Sequence, residues 1–345
     1  MRAMHALTER IGVAVLASLP SVEGDDDLAR FHALMREYPE RGGKRLRGTL
    51  VMLATEAHGG DPDEALPVAA ALELFQNWVL VHDDIEDDSE ERRGRPALHR
   101  SVGVPVALNV GDAMHVCMWE SLLALTSGPS FDADAIRREF VWMIRRTAEG
   151  QHLDLTWVAE GRFADEAAYL EMVRLKTSAY TVTSPLRLGA HASGARPHAA
   201  IEGIGDRLGA AFQIRDDVLN LTPPTRDDVN DVGSADAYGK EFAGDLLEGK
   251  RTLILAHLFA HLRADDLREA TERLAAPRSS RSAVDVAWLL ARITEVGSLR
   301  YAQERAETLA RGALSELADV LATLPGRAAA GRIEALLRTL AARTH

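Results

Sequence analysis

Residues 66–82 are apolar on nearly every face of a helix, and a helix of that kind has no side to give to water. It demands other helices around it, so the chain has to build a bundle with this segment inside. Its C-terminal end adds a second constraint. Val79-Leu80-Val81-His82 runs directly into Asp83-Asp84-Ile85-Glu86-Asp87-Asp88, and Ser89-Glu90-Glu91-Arg92-Arg93-Gly94 follows. On an α-helix Asp83 and Asp87 share a face, as do Asp84 and Asp88, and like charges at that spacing repel. A divalent cation would stabilise them, and all-oxygen ligands with room for water and phosphate suit Mg²⁺ best. A solvated acidic face has the same composition, and the run alone does not separate the two.

The rest of the chain agrees with a bundle. Helical periodicity recurs over 28–38, 64–88, 105–126, 133–159, 165–190, 199–221, 251–263, 266–275, 282–296, 298–323 and 328–342. Short breakers separate these segments, among them Arg41-Gly42-Gly43, Gly59-Gly60-Asp61-Pro62 and Gly94-Arg95-Pro96. The least helical stretch, Thr222–Ala237, reads as an acidic loop. Neither a fixed-period repeat nor a long linker divides the chain. The expectation is one all-α domain over residues 1–345, a single large helical bundle.

Composition narrows the partners. The net charge of −12 argues against a general nucleic-acid surface. Cys117 is the single cysteine, which excludes an intrachain disulfide and makes a reducing, cytoplasmic setting the default. Apolar runs stay short of membrane-spanning length. Ile11–Leu19 resembles the core of a signal peptide, but Glu9 precedes it and Asp25-Asp26-Asp27 follows, so no export is expected.

A second acidic group lies downstream. Gln213, Asp216, Asp217 and Asn220 fall at i, i+3, i+4 and i+7, one polar stripe on an otherwise apolar helix. Two such helices suggest a shared polar cavity. The 40 basic residues include only four lysines: Lys44, Lys176, Lys240 and Lys250. Where so strong an arginine bias is overridden, a compact ammonium is the candidate requirement. Acidic metal ligands plus scattered cations are what a doubly phosphorylated substrate needs.

These residues carry a resemblance. From Arg41 to Thr252 the chain resembles the polyprenyl synthetase family of trans-isoprenyl diphosphate synthases. The matching elements are Gly42-Gly43-Lys44-Arg45-Leu46-Arg47, Asp83-Asp84-x-x-Asp87, Arg92-Arg93-Gly94, Gly150-Gln151-x-x-Asp154-Leu155, Lys176-Thr177, Phe212-Gln213-x-x-Asp216-Asp217 and Lys240…Lys250-Arg251-Thr252. The resemblance implies the isoprenoid synthase type of bundle, with a central cavity. It also implies head-to-tail condensation of isopentenyl diphosphate with an allylic diphosphate, dependent on three Mg²⁺ ions, in a homodimer. By the same resemblance Lys44, Arg47 and Arg93 hold the isopentenyl diphosphate. Arg92, Lys176, Lys240 and Lys250 hold the allylic diphosphate, and Thr177 and Gln213 line its first carbons. Asp83, Asp87 and Asp216 are the implied metal ligands, supported by Asp84 and Asp217.

Three positions depart from the family pattern. Gln76 stands where many members carry a histidine at the isopentenyl site, Asn220 replaces the last aspartate of the second motif, and Gly48 replaces a common proline. An amide at 76 can still donate to phosphate. Product length is expected to depend on Val79 and Trp78, although ideal helix geometry puts Val79 about 40° and Trp78 about 140° from Asp83. A blocking Trp78 implies C15 to C20 products. Two other readings stay open: a class I terpene cyclase and a non-catalytic regulatory subunit. The first meets an incomplete Asn230-Asp231-x-x-Ser234 motif with Tyr238 at its last ligand position, the second a full set of aspartates. A calcium loop starting at Asp228 fails because its twelfth position is Gly239.

Overall fold

The computed structural model describes residues 2–222 and 242–342, with side chains from residue 4. Lys240, most of the Thr222–Ala237 loop and the Asn230–Tyr238 and Asp228–Gly239 motifs lie outside the described residues. The element order is α1 (Arg2–Ala17), α2 (Asp27–Glu40), α3 (Leu46–Ala57), α4 (Leu66–Glu86), a two-residue hairpin pair β1 (Glu91–Arg92) and β2 (Arg95–Pro96), α5 (Leu98–Val102), α6 (Val104–Leu123), α7 (Ala133–Ala159) and α8 (Glu166–Val173). A π-helical segment, Arg174–Thr183, then leads into α9 (Ser184–His191) and α10 (Ile201–Asn220). The remainder is α11 (Gly244–Glu248), α12 (Leu253–His261), α13 (Ala264–Ala275), a 3₁₀ turn (Arg278–Ser280), α14 (Ala283–Val296), α15 (Ser298–Leu321) and α16 (Arg327–Ala342). The Cα packing forms two compact units. One comprises Met1–Met143, Tyr180–Ile201 and Leu317–Leu336, the other Ile144–Ala179, Glu202–Glu316 and Leu337–His345.

In the first unit α4 is the central element, as its apolar composition requires. Every residue from Val68 to Asn77 is buried, and α1, α2, α3, α5 and α6 all pack on it. Against α6 the His82 imidazole lies so near Gly111 that a Cβ there would overlap it. Glu73, a buried charge on this apolar helix, accepts from the backbone N of Gly48 at 2.8 Å, close to the Arg45 guanidinium. A Cβ at Gly48 would come within 3.1 Å of the Glu73 and Ile11 side chains, so a larger residue there would require its neighbours to shift. The signal-like stretch is part of the fold: Ile11 and Val15 on α1 are fully buried against the bundle.

The second unit is also helical. Asp165 caps α8 through Ala168 N, Ser282 caps α14 in a reciprocal capping box, and Thr252 caps α12. Phe163 stacks on Phe259 of α12 at 3.6 Å between centroids. Glu166 on α8 is tied to α15 by Tyr301 and Arg305. Buried Arg281 donates to five carbonyls, those of Leu246, Leu247, Arg273, Leu274 and Ala276, closing the ends of α11 and α13.

Two local features depart from the sequence expectation. The 165–190 segment is not one regular helix, because its middle is π-helical. Its tight packing supplies a reason: at Gly150 on α7 and Gly209 on α10, a Cβ would overlap the backbone of Lys176 and Ser178 respectively. A π segment packed by other helices is a recurring mark of a functional site. The turn Gly94-Arg95-Pro96 belongs to a small hairpin, in which Glu91 pairs with Pro96 and Arg92 with Arg95.

Candidate active site

In the first unit, the C-terminal end of α4 and the hairpin after it form an ionic cluster. Asp84 is fully buried. It accepts from the Tyr38 hydroxyl at 2.5 Å and from Arg92 Nε at 3.0 and 3.1 Å, with a further bond from Arg92 Nη2. Burial acts against the Arg92 charge, but Asp84, with help from Asp83, raises its pKa well above the usual range. Asp83 lies 3.9 Å from the same guanidinium and keeps 17% of its side chain exposed. Asp87, one turn on, is partly exposed.

The cationic loop sits beside this cluster. Gly42, Gly43 and Arg45 all have positive φ, a conformation that glycine adopts without the Cβ penalty. Arg93 donates to the carbonyls of Tyr38 and Gly42, and its guanidinium would crowd any Cβ at Gly43. Burial and the neighbouring Arg45, Arg92 and Arg41 guanidiniums pull the Arg93 pKa down to about 10, against a pull upward from Glu73. Cations crowded in this way are stabilised by an anion. Lys44 is exposed on that loop. Arg47, in the first turn of α3, lies over the Tyr180 ring at 4.6 Å and donates to Thr181 Oγ1 at 3.0 Å. The sequence-chosen Lys44, Arg47 and Arg93 thus belong to one loop and its surroundings.

Further down α4, Gln76 is buried and its Oε1 has no hydrogen-bond partner. Trp78 stacks on His115 of α6 with centroids 4.0 Å apart and meets Phe75 and His82 edge-on. Its ring therefore belongs to the α4–α6 contact. Val79 is partly exposed.

The second unit repeats the acidic design. Asp216 on α10 is exposed and Asp217 is 5% exposed. Asp217 accepts from Tyr169 at 2.8 Å and from Gln213 Nε2 at 2.9 Å, while Gln213 Oε1 accepts from Thr177 at 3.0 Å. Burial and the Asp245 carboxylate push the Asp217 carboxyl up to about 7, against the hydrogen bonds from Gln213 and Tyr169. Lys176, on the π segment, donates to Asp154 at 2.6 Å. Lys250 is 3.2 Å from Glu248, which also meets Arg278 at 3.3 Å.

Asn220 has a structural task here. It is 1% exposed, and its Oδ1 accepts from Asp245 N at 3.0 Å, anchoring the first turn of α11. Arg251 stacks on Phe163 and donates to the carbonyls of Arg162 and Gly249. Among the described residues, no three His, Cys, Asp or Glu side chains are grouped so as to hold a metal ion by themselves.

Sequence reasoning missed Tyr38 and Tyr169, and gave Asp154 no role beyond motif membership. Rarity was the available signal. The chain holds only five tyrosines, and three of them touch site residues: Tyr38 on Asp84, Tyr169 on Asp217 and Tyr180 under Arg47.

The model of the polyprenyl synthetase family matches residues 29–291. A short chain isoprenyl diphosphate synthase of Methanothermobacter thermautotrophicus is 33% identical over 299 residues, covering 81% of this chain and 85% of that protein. A geranylfarnesyl diphosphate synthase of Natronomonas pharaonis is 31% identical, covering 92% and 91%. A geranylgeranyl pyrophosphate synthase from Corynebacterium glutamicum, solved with isoprenyl diphosphate and magnesium, superposes with a TM-score of 0.82 at 27% identity, covering 99% of this chain and 98% of that one. The fold is accordingly the all-α isoprenyl synthase bundle. With the family match spanning most of its length, the chain belongs to the polyprenyl synthetase family and is a prenyltransferase.

Proposed function

We propose that the protein condenses isopentenyl diphosphate head-to-tail with an allylic diphosphate to release a trans-polyprenyl diphosphate, C15 to C20 in length, and inorganic diphosphate. The observation that carries this reading is the division within each aspartate pair. Asp84 and Asp217 are buried and engaged on both oxygens by protein donors, whereas Asp83 keeps partial exposure and Asp216 is exposed. The outer carboxylates, with Asp87, fit Mg²⁺ as a donor set: they are hard oxygen ligands, too few in either unit to complete a shell, which leaves positions for diphosphate and water. Bound Mg²⁺ would stabilise the negative charge that grows on the leaving diphosphate.

The chain's own residues do the remaining work. Lys44, Arg47 and Arg93 hold the isopentenyl diphosphate, and the crowded guanidiniums around Arg93 support that assignment. Gln76 supports the same subsite, because an amide whose buried oxygen lacks a partner can turn its donor toward phosphate. Arg92, Lys176, Lys240 and Lys250 hold the allylic diphosphate, whose first carbons lie along Thr177 and Gln213. Ionisation of the allylic C–O bond leaves a cation that the isopentenyl double bond attacks. The proton lost afterwards passes to the departing diphosphate. Apolar walls keep water from the cation.

A homodimer fits the surface of α6, where Val104, Leu108, Val116 and Leu123 are exposed along a helix already packed on α4 by its other side. The lone cysteine fits a cytoplasmic setting. Among the described residues no helix is long and apolar enough to cross a membrane. The cyclase and regulatory-subunit readings are disfavoured by the family match and by the intact aspartate pairs.

The test is incubation of purified protein with Mg²⁺, isopentenyl diphosphate and labelled dimethylallyl, geranyl or farnesyl diphosphate. Elongated product is expected with at least one primer, and its absence with all three overturns the reading.

A further inference from the structure

In both aspartate pairs the inner carboxylate is held by a tyrosine from a different helix. Tyr38 on α2 donates to Asp84 Oδ2 at 2.5 Å, and its oxygen accepts from Leu98 N at 3.0 Å. Tyr169 on α8 donates to Asp217 Oδ2 at 2.8 Å. Each phenol is 1% exposed. The other oxygen is also engaged, by Arg92 on Asp84 and by Gln213 on Asp217. Carboxyls so buried and engaged on both oxygens are poorly placed to take a ligand. The preceding residue on each helix, turned by about 100°, is the one on the outer side.

We propose that Tyr38 and Tyr169 are positioning residues for metal–diphosphate binding. Each clamps the inner carboxylate of its pair, which fixes the rotation of α4 or α10 and so aims Asp83 or Asp216. The inference rests on the prenyl-transfer reading above. A phenol suits the task because it holds a carboxyl through a hydrogen bond and brings no charge of its own beside the metal ligands. The clamp on Asp84 has a further consequence. When Arg92 turns from Asp84 toward a substrate diphosphate, Tyr38 remains to keep the carboxylate in place. Tyr38 also ties the two cationic elements together: Arg93 donates to its carbonyl at 3.0 Å, and Arg41 covers its ring while donating to the Arg92 carbonyl.

Tyr38→Phe and Tyr169→Phe keep the rings and remove only the hydroxyls. Three measurements separate positioning from packing: the Mg²⁺ dependence of turnover, calorimetric binding of Mg²⁺ with inorganic diphosphate, and thermal melting without Mg²⁺. Each variant is expected to need roughly tenfold more Mg²⁺ and to bind Mg²⁺–diphosphate about tenfold more weakly, the scale of losing one hydrogen bond to a charged group. The KM for isopentenyl diphosphate should stay nearly constant. Tyr38→Phe should have a clearly smaller effect on the Mg²⁺ requirement in an Asp84→Asn background, where the phenol meets a neutral amide, and Tyr169→Phe likewise in Asp217→Asn. An unchanged Mg²⁺ requirement, or an equally large effect in the Asn backgrounds, overturns the clamp. A wild type that makes no product overturns the prenyl-transfer reading instead, and that is read before any variant is made. Should Tyr38→Phe fail to fold, Tyr169→Phe carries the same readouts.

Discussion

Lys176 and Asp154 form a tight ion pair, 2.6 Å from Nζ to Oδ2, with only 18% and 10% of their side chains exposed. The lysine sits on the π segment and the carboxylate on α7, one turn beyond Gly150. Asp154 thus holds the ammonium in place, ready for the diphosphate that the proposed function assigns to it. Asp154→Asn should lower kcat/KM for the allylic substrate roughly tenfold, by loosening Lys176, while leaving KM for isopentenyl diphosphate alone. Steady-state kinetics with each substrate varied in turn check this; a larger effect on the isopentenyl side would contradict the assignment.

The two aspartates of the first pair should fail differently. Asp83→Ala is expected to abolish turnover, by about a thousandfold or more, with little change in melting temperature. Asp84→Ala strips the partner from a buried guanidinium and a buried phenol, and should cost about 3 kcal/mol of stability as well. Urea unfolding beside the activity assay separates them. Equal stabilities would remove Asp84 from its structural role.

Gly150→Ala places a methyl group on the backbone of Lys176. Overpacking of this kind costs about 3 kcal/mol where neither backbone can retreat. A variant that melts within a degree of wild type would show that the π segment can shift.

Asp206 on α10 offers a pH test away from the aspartate pairs. Burial raises its pKa from 3.8 to about 6, with Glu202 and Glu171 adding to the rise and Arg174 and Arg146 opposing it. The folded state therefore binds this proton more tightly than the unfolded chain. Stability from this group is fully present below pH 3.8 and is lost as pH rises through about 6. Asp206→Asn should flatten that part of the pH–stability curve and raise stability at pH 7 by about 1 kcal/mol, well under the full shift because the carboxyl is partly solvated. Denaturant midpoints at several pH values test the sign, and a wild type that gains stability from pH 4 to pH 6 relative to the variant would reverse it.

Trp78→Ala removes the ring stacked on His115. Longer products are expected, read by chromatography of the dephosphorylated prenols. An unchanged product profile would make Trp78 a packing residue of the α4–α6 contact.

Much of this protein was legible in its sequence, because the strongest signals are local. Apolar residues on every face of residues 66–82 are enough to bury that helix, and α4 is indeed enclosed by five others. The i, i+3, i+4, i+7 stripe from Gln213 to Asn220 follows from helix geometry alone. Motif order and four scarce lysines point to diphosphate chemistry without any coordinates. The parts that stayed hidden are those in which one segment's conformation depends on another's atoms. Periodicity over 165–190 cannot reveal a π segment, since its middle is closely packed by two glycines on other helices. Nor can spacing tell that Asn220 anchors α11, because its partner, the backbone N of Asp245, lies 25 residues away. The sequence by itself determined an all-α bundle with two acidic helices and a set of cations. Which aspartate of each pair is buried and which faces outward was decided only in three dimensions, because Tyr38 and Tyr169 reach those carboxylates across 46 and 48 residues of chain.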